Sequence, residues 1–330
     1  MNIPQGRPYR ALDAPGLRKD FEFSLVDWSV QDMIYVALGT SVYYVNIAMY
    51  DGPYQKEEIK VICADTDPAN FVTSLKSNDS GELLAVGMNK GWKIWDLQAQ
   101  KVVCGRSFGT YRSLAWNENV LAAGSQARIF LWDIREPQKG EPRKLKVLSN
   151  THDNCDCKIL GVQWSPDTQQ LASTDDSAVV NIWDQRSTKP CLTFTEHVGR
   201  VKALAWSPHH RGLLMTGGGS RDCTIRFWDT ITGVPMQRVR TSSQTCAVAW
   251  SKHSNELVTT HGGNAKEARH LILLTWKYPE LKPQDIVNHP RDHRLLHVAM
   301  SPDGESIVGG SNQTLEFWRV FPKDRKEGMV

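Results

Sequence analysis

Short runs in which apolar and polar residues alternate recur along the whole chain, and polar turns separate them. In one stretch, Val201–Trp206, Leu213–Gly217, Thr224–Asp229 and Pro235–Val239 follow one another in this way. Alternation with a period of two is typical of β-strands that bury one face. Since no helical periodicity of about ten residues intervenes, the pattern disfavours folds in which helices connect parallel strands.

Tryptophan marks a repeat in these strand-like runs. One series closes a run on a Trp-Asp pair or a variant of it, at Trp95, Trp132, Trp183, Trp228, Trp276 and Trp318. A second series precedes a turn, at Trp28, Trp116, Trp164, Trp206, Trp250 and, with methionine in its place, Met300. Both series fit the WD-type repeat, whose period is roughly 40–45 residues.

The repeat predicts an all-β fold, a seven-bladed WD-repeat β-propeller. Its units cover approximately residues 24–60, 72–104, 111–148, 159–195, 201–240, 245–287 and 295–322. Radial stacking buries the faces that a single four-stranded sheet leaves open. We therefore expect one propeller domain at 24–322, an N-terminal segment at 1–23 and a C-terminal tail at 323–330. The N-terminal segment is expected to add a strand, around Tyr9 to Leu17, that closes the ring on the last blade.

Charge and cysteine content narrow the function classes. The 330 residues carry a formal net charge of +3, from 39 basic and 36 acidic side chains, which is too small a surplus to indicate nucleic-acid binding. No apolar run approaches the ~18 residues of a membrane span. The seven cysteines are odd in number and lack the spacing of a disulfide framework, so we expect a reducing compartment, the nucleus and cytoplasm.

Several groups of residues have some features of a chemical site. His152, Cys155 and Cys157 resemble part of a metal site without a fourth ligand, and we interpret them as an incidental loop. His289, His293 and His297 recur every four residues, but Pro290 and a strand-like run argue against the helix that this spacing needs. Gly217–Ser220 and Asp175-Asp176 are interpreted as turns. We predict no metal, no cofactor and no enzymatic activity.

Other polar residues are assigned to the structure of the blades. His197, Thr216, Asp222 and Trp228 have the spacing of the buried hydrogen-bond network of WD repeats, and His152, Ser173 and Trp183 are a shorter version. Such a network would hold the turns of each blade in place. We expect these histidines to be structural and the tryptophans to be wedges between blades.

A set of longer strings makes the resemblance more specific. In chain order these are Leu12–Pro15, Leu25–Ser29, Ala205–His209, Gly217–Gly219, Ile225–Trp228, Ser243-Gln244, Ala249–Val258, Thr260–Gly262, Trp276–Pro279 and Ala299–Glu305. Together they resemble the Fizzy and Fizzy-related family over about residues 7–322. Its members are activating, substrate-recruiting subunits of the anaphase-promoting complex, a ubiquitin ligase. The departures described below indicate a divergent member.

The resemblance implies a cleft between the first and last blades that binds the destruction box, Arg-x-x-Leu. Asp27 matches the family's first-blade acid for the arginine, and Leu25 and Val26 are candidates for the apolar slot that takes the leucine. A charge-assisted contact of this kind contributes about 1.5–3 kcal/mol. The family's second acid corresponds here to Gln313, which carries no charge. We expect this change to weaken binding of the arginine by about 1 kcal/mol.

The resemblance also implies a second site, for the Lys-Glu-Asn signal, on the top of the propeller. Gln244, Arg294 and Ser220, where the family has threonine, match positions of that site, and Arg294 would pair with the glutamate of the signal. The family's two turn asparagines correspond to Asp176 and Ala178. Aspartate would repel the glutamate and alanine offers no hydrogen bond. We therefore expect weak or altered recognition of this signal.

The implied partners are subunits of the anaphase-promoting complex, degron-bearing substrates such as cyclins and securin, and spindle-checkpoint proteins. The family's docking box and Ile-Arg tail do not occur between Met1 and Val330, which is compatible with a trimmed chain and with a relative that docks differently. A propeller scaffold that has lost degron binding is the alternative. A phosphoinositide-binding propeller would need a Phe-Arg-Arg-Gly motif, which is absent. We expect the domain alone to be monomeric.

Overall fold

Seven four-stranded antiparallel sheets make up the protein. The computed structural model describes residues 7–47, 59–138, 140–149, 157–262, 271–288, 294–311 and 313–322. Every element in these ranges is a β-strand. The prediction of a seven-bladed propeller is confirmed.

The strands of blades 1 to 4 run outward from the centre in chain order. Blade 1 contains β2 (Val26–Trp28), β3 (Met33–Leu38), β4 (Ser41–Asn46) and β5 (Lys60–Ala64). Blade 2 contains β6 (Val72–Ser77), β7 (Leu83–Met88), β8 (Gly91–Asp96) and β9 (Lys101–Arg106). Blade 3 contains β10 (Ser113–Asn117), β11 (Val120–Gly124), β12 (Arg128–Gln138) and β13 (Glu141–Ser149). Blade 4 contains β14 (Ile159–Trp164), β15 (Gln170–Asp175), β16 (Val180–Asp184) and β17 (Leu192–Phe194).

Blades 5 and 6 follow the same plan, and blade 7 departs from it. Blade 5 contains β18 (Val201–Trp206), β19 (Leu213–Gly218), β20 (Thr224–Asp229) and β21 (Val234–Arg240). Blade 6 contains β22 (Thr245–Trp250), β23 (Glu256–His261), β24 (Leu271–Lys277) and β25 (Lys282–Asn288). Blade 7 contains β26 (His297–Met300), β27 (Ser306–Ser311) and β28 (Thr314–Arg319), and its outer strand is β1 (Arg10–Asp13) from the N-terminal segment.

The ring is therefore closed by strands from both ends of the chain. Arg10 pairs in register with Phe317, and Asp13 pairs with Thr314. This strand lies within the segment for which a ring-closing strand was expected. It covers β28, which would otherwise be an unpaired sheet edge.

The two tryptophan series make different hydrogen bonds. In blades 4, 5 and 6 the indole N–H donates to a hydroxyl on the second strand of the same blade, at 2.8 Å each for Trp183 to Ser173, Trp228 to Thr216 and Trp276 to Thr259. Three tryptophans of the second series donate the indole N–H to a backbone carbonyl on the inner strand of the preceding blade, from Trp116 to Lys76, Trp206 to Gln163 and Trp250 to Ala205. The second series thus links neighbouring blades.

The predicted polar network of blade 5 is confirmed. His197 contacts Asp222 through Nδ1 and Thr216 Oγ1 through Nε2, at 2.7 Å for the second contact. Burial lowers the pKa of His197 although Asp222 favours its charged form. His152, predicted for blade 4, lies outside the described residues, whereas its proposed partners Ser173 and Trp183 are bonded as expected. These polar groups are buried and satisfied, which is how a core polar network stabilises one arrangement.

Candidate functional site

The predicted recognition residues lie at one end of the ring. In an antiparallel blade the turn between the second and third strands lies at the same end as the connections between blades, and we call this end the top face. Turns of this kind carry Asp176, Ala178, Ser220 and Gln313. Gln244 directly precedes β22, and Arg294 lies shortly before β26. The structure thus brings six of the nine predicted site residues to the top face.

A central channel runs along the axis of the ring. A cavity along the axis is lined by the inner strands of all seven blades, including Asp27 and Lys76 from blades 1 and 2 and Lys202 and His297 from blades 5 and 7. Residues 14–24, which we call the crossing segment, connect the outer strand of blade 7 to the inner strand of blade 1. This segment therefore passes from the rim of the ring to its centre.

Buried side chains fasten the crossing segment to the channel. Lys202 donates to the carbonyl oxygens of Phe23 and Leu296, the latter at 3.2 Å. His297 contacts the carbonyl oxygens of Phe23 through Nδ1 at 3.0 Å and of Arg18 through Nε2 at 2.9 Å. The guanidinium of Arg18 stacks over the ring of Phe71 at 3.9 Å from its centroid. The sequence interpretation treated His297 only as a weak metal candidate, and the structure gives it an anchoring role.

Burial shapes the charge of these anchors. It lowers the pKa of Lys202 to about 8, because the ammonium has lost its water. Burial, with the positive charge of Lys202 as a second cause, lowers the pKa of His297 to about 3. His297 is therefore neutral at physiological pH and can donate to only one of its two carbonyl partners.

Glu22 of the crossing segment lies among three cations from three blades. Its carboxylate oxygens are 3.2 Å from Arg112 Nε, 3.4 Å from Lys158 Nζ and 3.2 Å from Arg200 Nη1. The Glu22 side chain is 12% exposed, as is that of Arg112, whereas Arg200 is 56% exposed. We call these three cations the basic triad. An acidic group thus fills the basic centre of the top face.

The basic triad occupies one repeated position that sequence reasoning missed. Arg112, Lys158 and Arg200 each directly precede the inner strand of their blade. In each case the backbone is bonded to the second–third strand turn region of the same blade, as in Gly219 N to Arg200 O at 2.7 Å. Alignment of the repeats on their inner strands would have revealed the three cations. It would not have revealed Glu22, which lies outside the repeat.

The predicted destruction-box residues have a different setting from the one expected. Asp27 is 3% exposed, and its carboxylate accepts hydrogen bonds from Lys76 Nζ at 2.6 Å and from Ser77 N and Oγ at 2.7 and 2.6 Å. Leu25 and Val26 are 1% and 5% exposed. They belong to the core cluster between blades 1 and 7, together with Leu17 of the crossing segment.

These contacts differ from the expected geometry of the cleft. Asp27 already accepts three hydrogen bonds from neighbours in blade 2 and lines the central channel. Leu25 and Val26 are packed in the interior and do not form an open slot. Gln313 is exposed, in a turn with φ of 72°, on the top face. Binding of a destruction box at this cleft stays a prediction.

The residues predicted for the Lys-Glu-Asn signal are partly engaged. Asp176 Oδ1 accepts a hydrogen bond from the backbone N–H of Lys158 at 2.8 Å, so the turn of blade 4 is joined to the basic triad. Gln244 is buried, Ala178 is half-buried with φ of 71°, and Ser220 and Arg294 are exposed. The structure therefore places Asp176 next to the basic centre.

The other candidate chemistry has no counterpart at this site. Within the described ranges, no group of three or more His, Cys, Asp or Glu side chains is arranged to hold a metal ion. His289, His293, His152 and Cys155 lie outside the described residues. Over the same ranges no helix is long and apolar enough to cross a membrane.

The comparison with known proteins identifies the family. The CDC20/Fizzy WD40 domain matches residues 12–318. The chain belongs to the CDC20/Fizzy family. The resemblance inferred from the motifs is therefore confirmed.

Named relatives extend this result. The chain is 38% identical to Protein FIZZY-RELATED 1 of Arabidopsis thaliana over 97% of its own length and 64% of the relative's. It is 38% identical to Meiotic fizzy-related protein 1 of Schizosaccharomyces pombe over 97% of its length and 72% of the relative's. It is 39% identical to the Dictyostelium discoideum protein named Anaphase-promoting complex subunit cdc20, of which it spans 62%. The second of these names refers to meiosis and the third to the anaphase-promoting complex, and none of the three names a catalysed reaction.

A solved structure agrees with the family assignment. A chain in the crystal structure of the mitotic checkpoint complex superposes with a TM-score of 0.86 and is 33% identical, covering 97% of this chain and 94% of the other. The CDC20/Fizzy propeller is therefore the architecture found here, and the crossing segment and the basic triad lie on its top face.

Proposed function

We propose that this propeller is the substrate-recognition domain of an activator of the anaphase-promoting complex and that it controls cell-cycle progression by binding degrons. The match of the CDC20/Fizzy domain over residues 12–318 is the observation that carries this proposal. The chain spans less than two thirds of the length of several relatives, so contacts with complex subunits belong to the proposal. Its other proposed partners are cyclin- and securin-type substrates and checkpoint proteins, in the nucleus and cytoplasm.

Asp13 supports a modified destruction-box contact. Asp13 is exposed and is paired in register with Thr314, which follows Gln313. The backbone N–H of Ala14 donates to Gln313 O at 2.6 Å, so the end of β1 and the turn of blade 7 are in direct contact. We propose that Asp13 supplies the carboxylate for the substrate arginine and that Gln313 supplies a neutral acceptor.

A specific observation favours the alternative, a scaffold that has lost degron binding. Asp27 accepts three hydrogen bonds from Lys76 and Ser77, Leu25 and Val26 are buried, and Glu22 fills the basic triad. These features leave fewer groups free for a ligand, both at the predicted cleft and on the top face. The two functions differ in whether an Arg-x-x-Leu peptide binds.

Fluorescence anisotropy of a labelled destruction-box peptide tests the two functions. Competitor peptides with Arg→Ala or Leu→Ala provide a control that does not disturb the protein fold. Saturable binding that the intact competitor abolishes, and the two altered competitors do not, is expected for a degron receptor. A folded protein that binds none of the peptides would favour the scaffold.

Two protein variants locate the contact. Asp13→Asn removes an exposed carboxylate and is expected to weaken binding about tenfold if that group meets the arginine. Asp27→Asn is the comparison, since a buried, satisfied carboxylate is expected to affect unfolding more than affinity. Binding that follows Asp27 while Asp13→Asn has no effect would return the contact to the site first predicted from the sequence.

A further inference from the structure

The basic triad on the top face has more positive charge than the carboxylate of Glu22 neutralises. Arg112, Lys158 and Arg200 contribute three cations around the single carboxylate of Glu22. In addition, Nη1 of Arg112 is buried and has no hydrogen-bond partner among the described residues. A buried donor without a partner costs free energy, so the site favours a further acceptor.

Lys202, a cation in the channel, adds to this preference. Lys202 lies below the crossing segment and donates to the carbonyl of Phe23, directly after Glu22. Asp176 Oδ1 accepts a hydrogen bond from the backbone N–H of Lys158 rather than from its ammonium group. The side chains of Lys158 and Arg200 are 34% and 56% exposed, so solvent and ligands reach them.

We propose that Glu22 is an internal ligand of an anion site formed by the basic triad, and that an acidic group of an incoming peptide must displace it. This inference rests on the proposed function in one respect, namely that the ligand is a degron-type peptide with a carboxylate side chain. Glu22 and that carboxylate compete for the same three cations. An internal competitor lowers the apparent affinity, because an incoming ligand can bind only during the fraction of time in which the site is free.

The anchors of the crossing segment make this exchange local. Phe23 O and Arg18 O, on either side of Glu22, are held by Lys202 and His297, and Leu75 N donates to Ser24 O at 2.9 Å. The backbone is thus fixed at both ends of a short stretch. Rotation of the Glu22 side chain is enough to withdraw its carboxylate, so the segment need not detach from the channel.

Glu22→Gln tests the inference with a matched pair of peptides. One peptide contains Lys-Glu-Asn and the other Lys-Gln-Asn, and affinities are measured by anisotropy. The Glu22→Gln protein is expected to bind the glutamate peptide about tenfold more tightly than the unchanged protein does, with less than about a twofold change for the glutamine peptide. Equal affinities of the two proteins for the glutamate peptide would overturn the inference.

Glu305→Gln is the control variant for this substitution. Glu305 is 13% exposed and is paired with Arg319 at 3.1 Å, so its burial and its partner resemble those of Glu22. It lies in the turn between β26 and β27, at the opposite end of the ring. The control is expected to bind both peptides as the unchanged protein does. A gain of similar size in this variant would show a general charge effect and would contradict the site.

A second probe separates this inference from the proposed function. Inorganic pyrophosphate, compared with sodium chloride at equal ionic strength, is expected to raise the melting temperature of Glu22→Gln by about 3 °C more than that of the unchanged protein. This outcome would support the anion site even if no degron peptide binds and the proposed function fails. Equal shifts, with destruction-box binding intact, would sink the inference and leave the function standing.

A milder variant covers the case in which Glu22→Gln does not fold. Glu22→Asp keeps the charge and withdraws the carboxylate by one methylene group. Its weaker hold on the triad is expected to give a gain of about threefold for the glutamate peptide. An affinity equal to that of the unchanged protein would count against the inference in the same way.

Discussion

Single hydroxyl groups decide whether the tryptophan of a Trp-Asp pair finds a hydrogen-bond partner. Each acceptor lies on the second strand of its blade, two residues after the residue that pairs in register with the tryptophan. These acceptors are Ser173, Thr216 and Thr259 in blades 4, 5 and 6. Blades 2, 3 and 7 have Val86, Ala123 and Gly309 at that position, and their indole N–H groups are buried without a partner in the part of the chain that the structure describes. Packing alone holds those tryptophans, so the polar network is concentrated on one side of the ring.

Thr216→Val should reveal the strength of this network. Thr216 Oγ1 is bonded both to His197 and to the Trp228 indole. Valine has nearly the same shape, so the substitution leaves two buried polar groups unpaired without making a cavity. We expect a loss of about 2–4 kcal/mol in the free energy of unfolding, measured by urea denaturation. Thr232→Val, which removes an exposed hydroxyl bonded to Asp229, should cost less than about 0.5 kcal/mol, and an equal loss in both variants would refute the network's role.

Gln313→Glu tests the departure from the family at the last blade. A carboxylate on this exposed turn would add a charge beside Asp13, and we expect destruction-box affinity to rise about fivefold, or about 1 kcal/mol. Gln100→Glu is a close control, because Gln100 is also exposed with φ of 54° and lies in the third–fourth strand turn of blade 2, at the other end of the ring. A gain in both variants would indicate long-range charge rather than a contact.

The N-terminal segment closes the ring and also supplies the acidic group at the centre of the top face. Its strand β1 is the outer strand of blade 7, while its crossing segment carries Glu22 and is fastened by Lys202 and His297. One stretch of chain therefore closes the propeller and occupies its basic centre. Another element, the long β12–β13 hairpin, reaches the neighbouring blade through Gly105 N to Gly140 O at 3.0 Å and the Arg106–Glu141 ion pair.

Removal of residues 1–13 should show how much ring closure contributes. Loss of β1 leaves β28 as an exposed sheet edge and breaks four register pairs. We expect the melting temperature to fall by roughly 5–10 °C in calorimetry. A synthetic peptide of residues 7–17, added in excess, should restore most of the loss by binding the open edge. An unchanged melting temperature after removal would mean that the other blade interfaces hold the ring without this strand.

At the scale of the whole molecule, buried histidines tie stability to pH. Burial lowers the pKa of His197, lowers that of His261 to about 4 and lowers that of His297 to about 3. In the unfolded chain each would titrate near its ordinary value of about 6.5. The unfolded state therefore binds more protons between these values, and acid shifts the equilibrium toward unfolding.

The free energy of unfolding should consequently fall as the pH drops from about 6.5 to about 4. His261 alone contributes a pH-dependent loss of about 3 kcal/mol over this interval, since its folded pKa is well below its unfolded one. His261→Gln should reduce the loss of stability between pH 6.5 and pH 4 by about that amount, and so flatten the slope of stability against pH, whatever it does to stability at neutral pH. Urea titrations from pH 4 to 7.5 measure the slope, and a variant with the slope of the unchanged protein would contradict this assignment.

Much of the architecture follows from local pattern in the chain. Alternating strands, the two tryptophan series and the turn residues predicted seven four-stranded blades, because period-two burial and repeat spacing are properties of neighbouring residues. The strings from Leu12–Pro15 to Ala299–Glu305 sufficed to recognise the family for the same reason. His197 and Thr216 were placed correctly because the spacing within one repeat brings them together.

Only the tertiary structure decided which partners meet across the ring. Asp27 matched a binding position in the sequence, but Lys76 and Ser77 of the next blade already donate three hydrogen bonds to its carboxylate. Glu22 is 90 residues before Arg112 and 178 before Arg200 along the chain, and closure of the propeller brings them into contact. The repeat pattern describes each blade by itself. The charge at the centre of the top face, in contrast, is set by side chains from separate blades and by a segment outside the repeat.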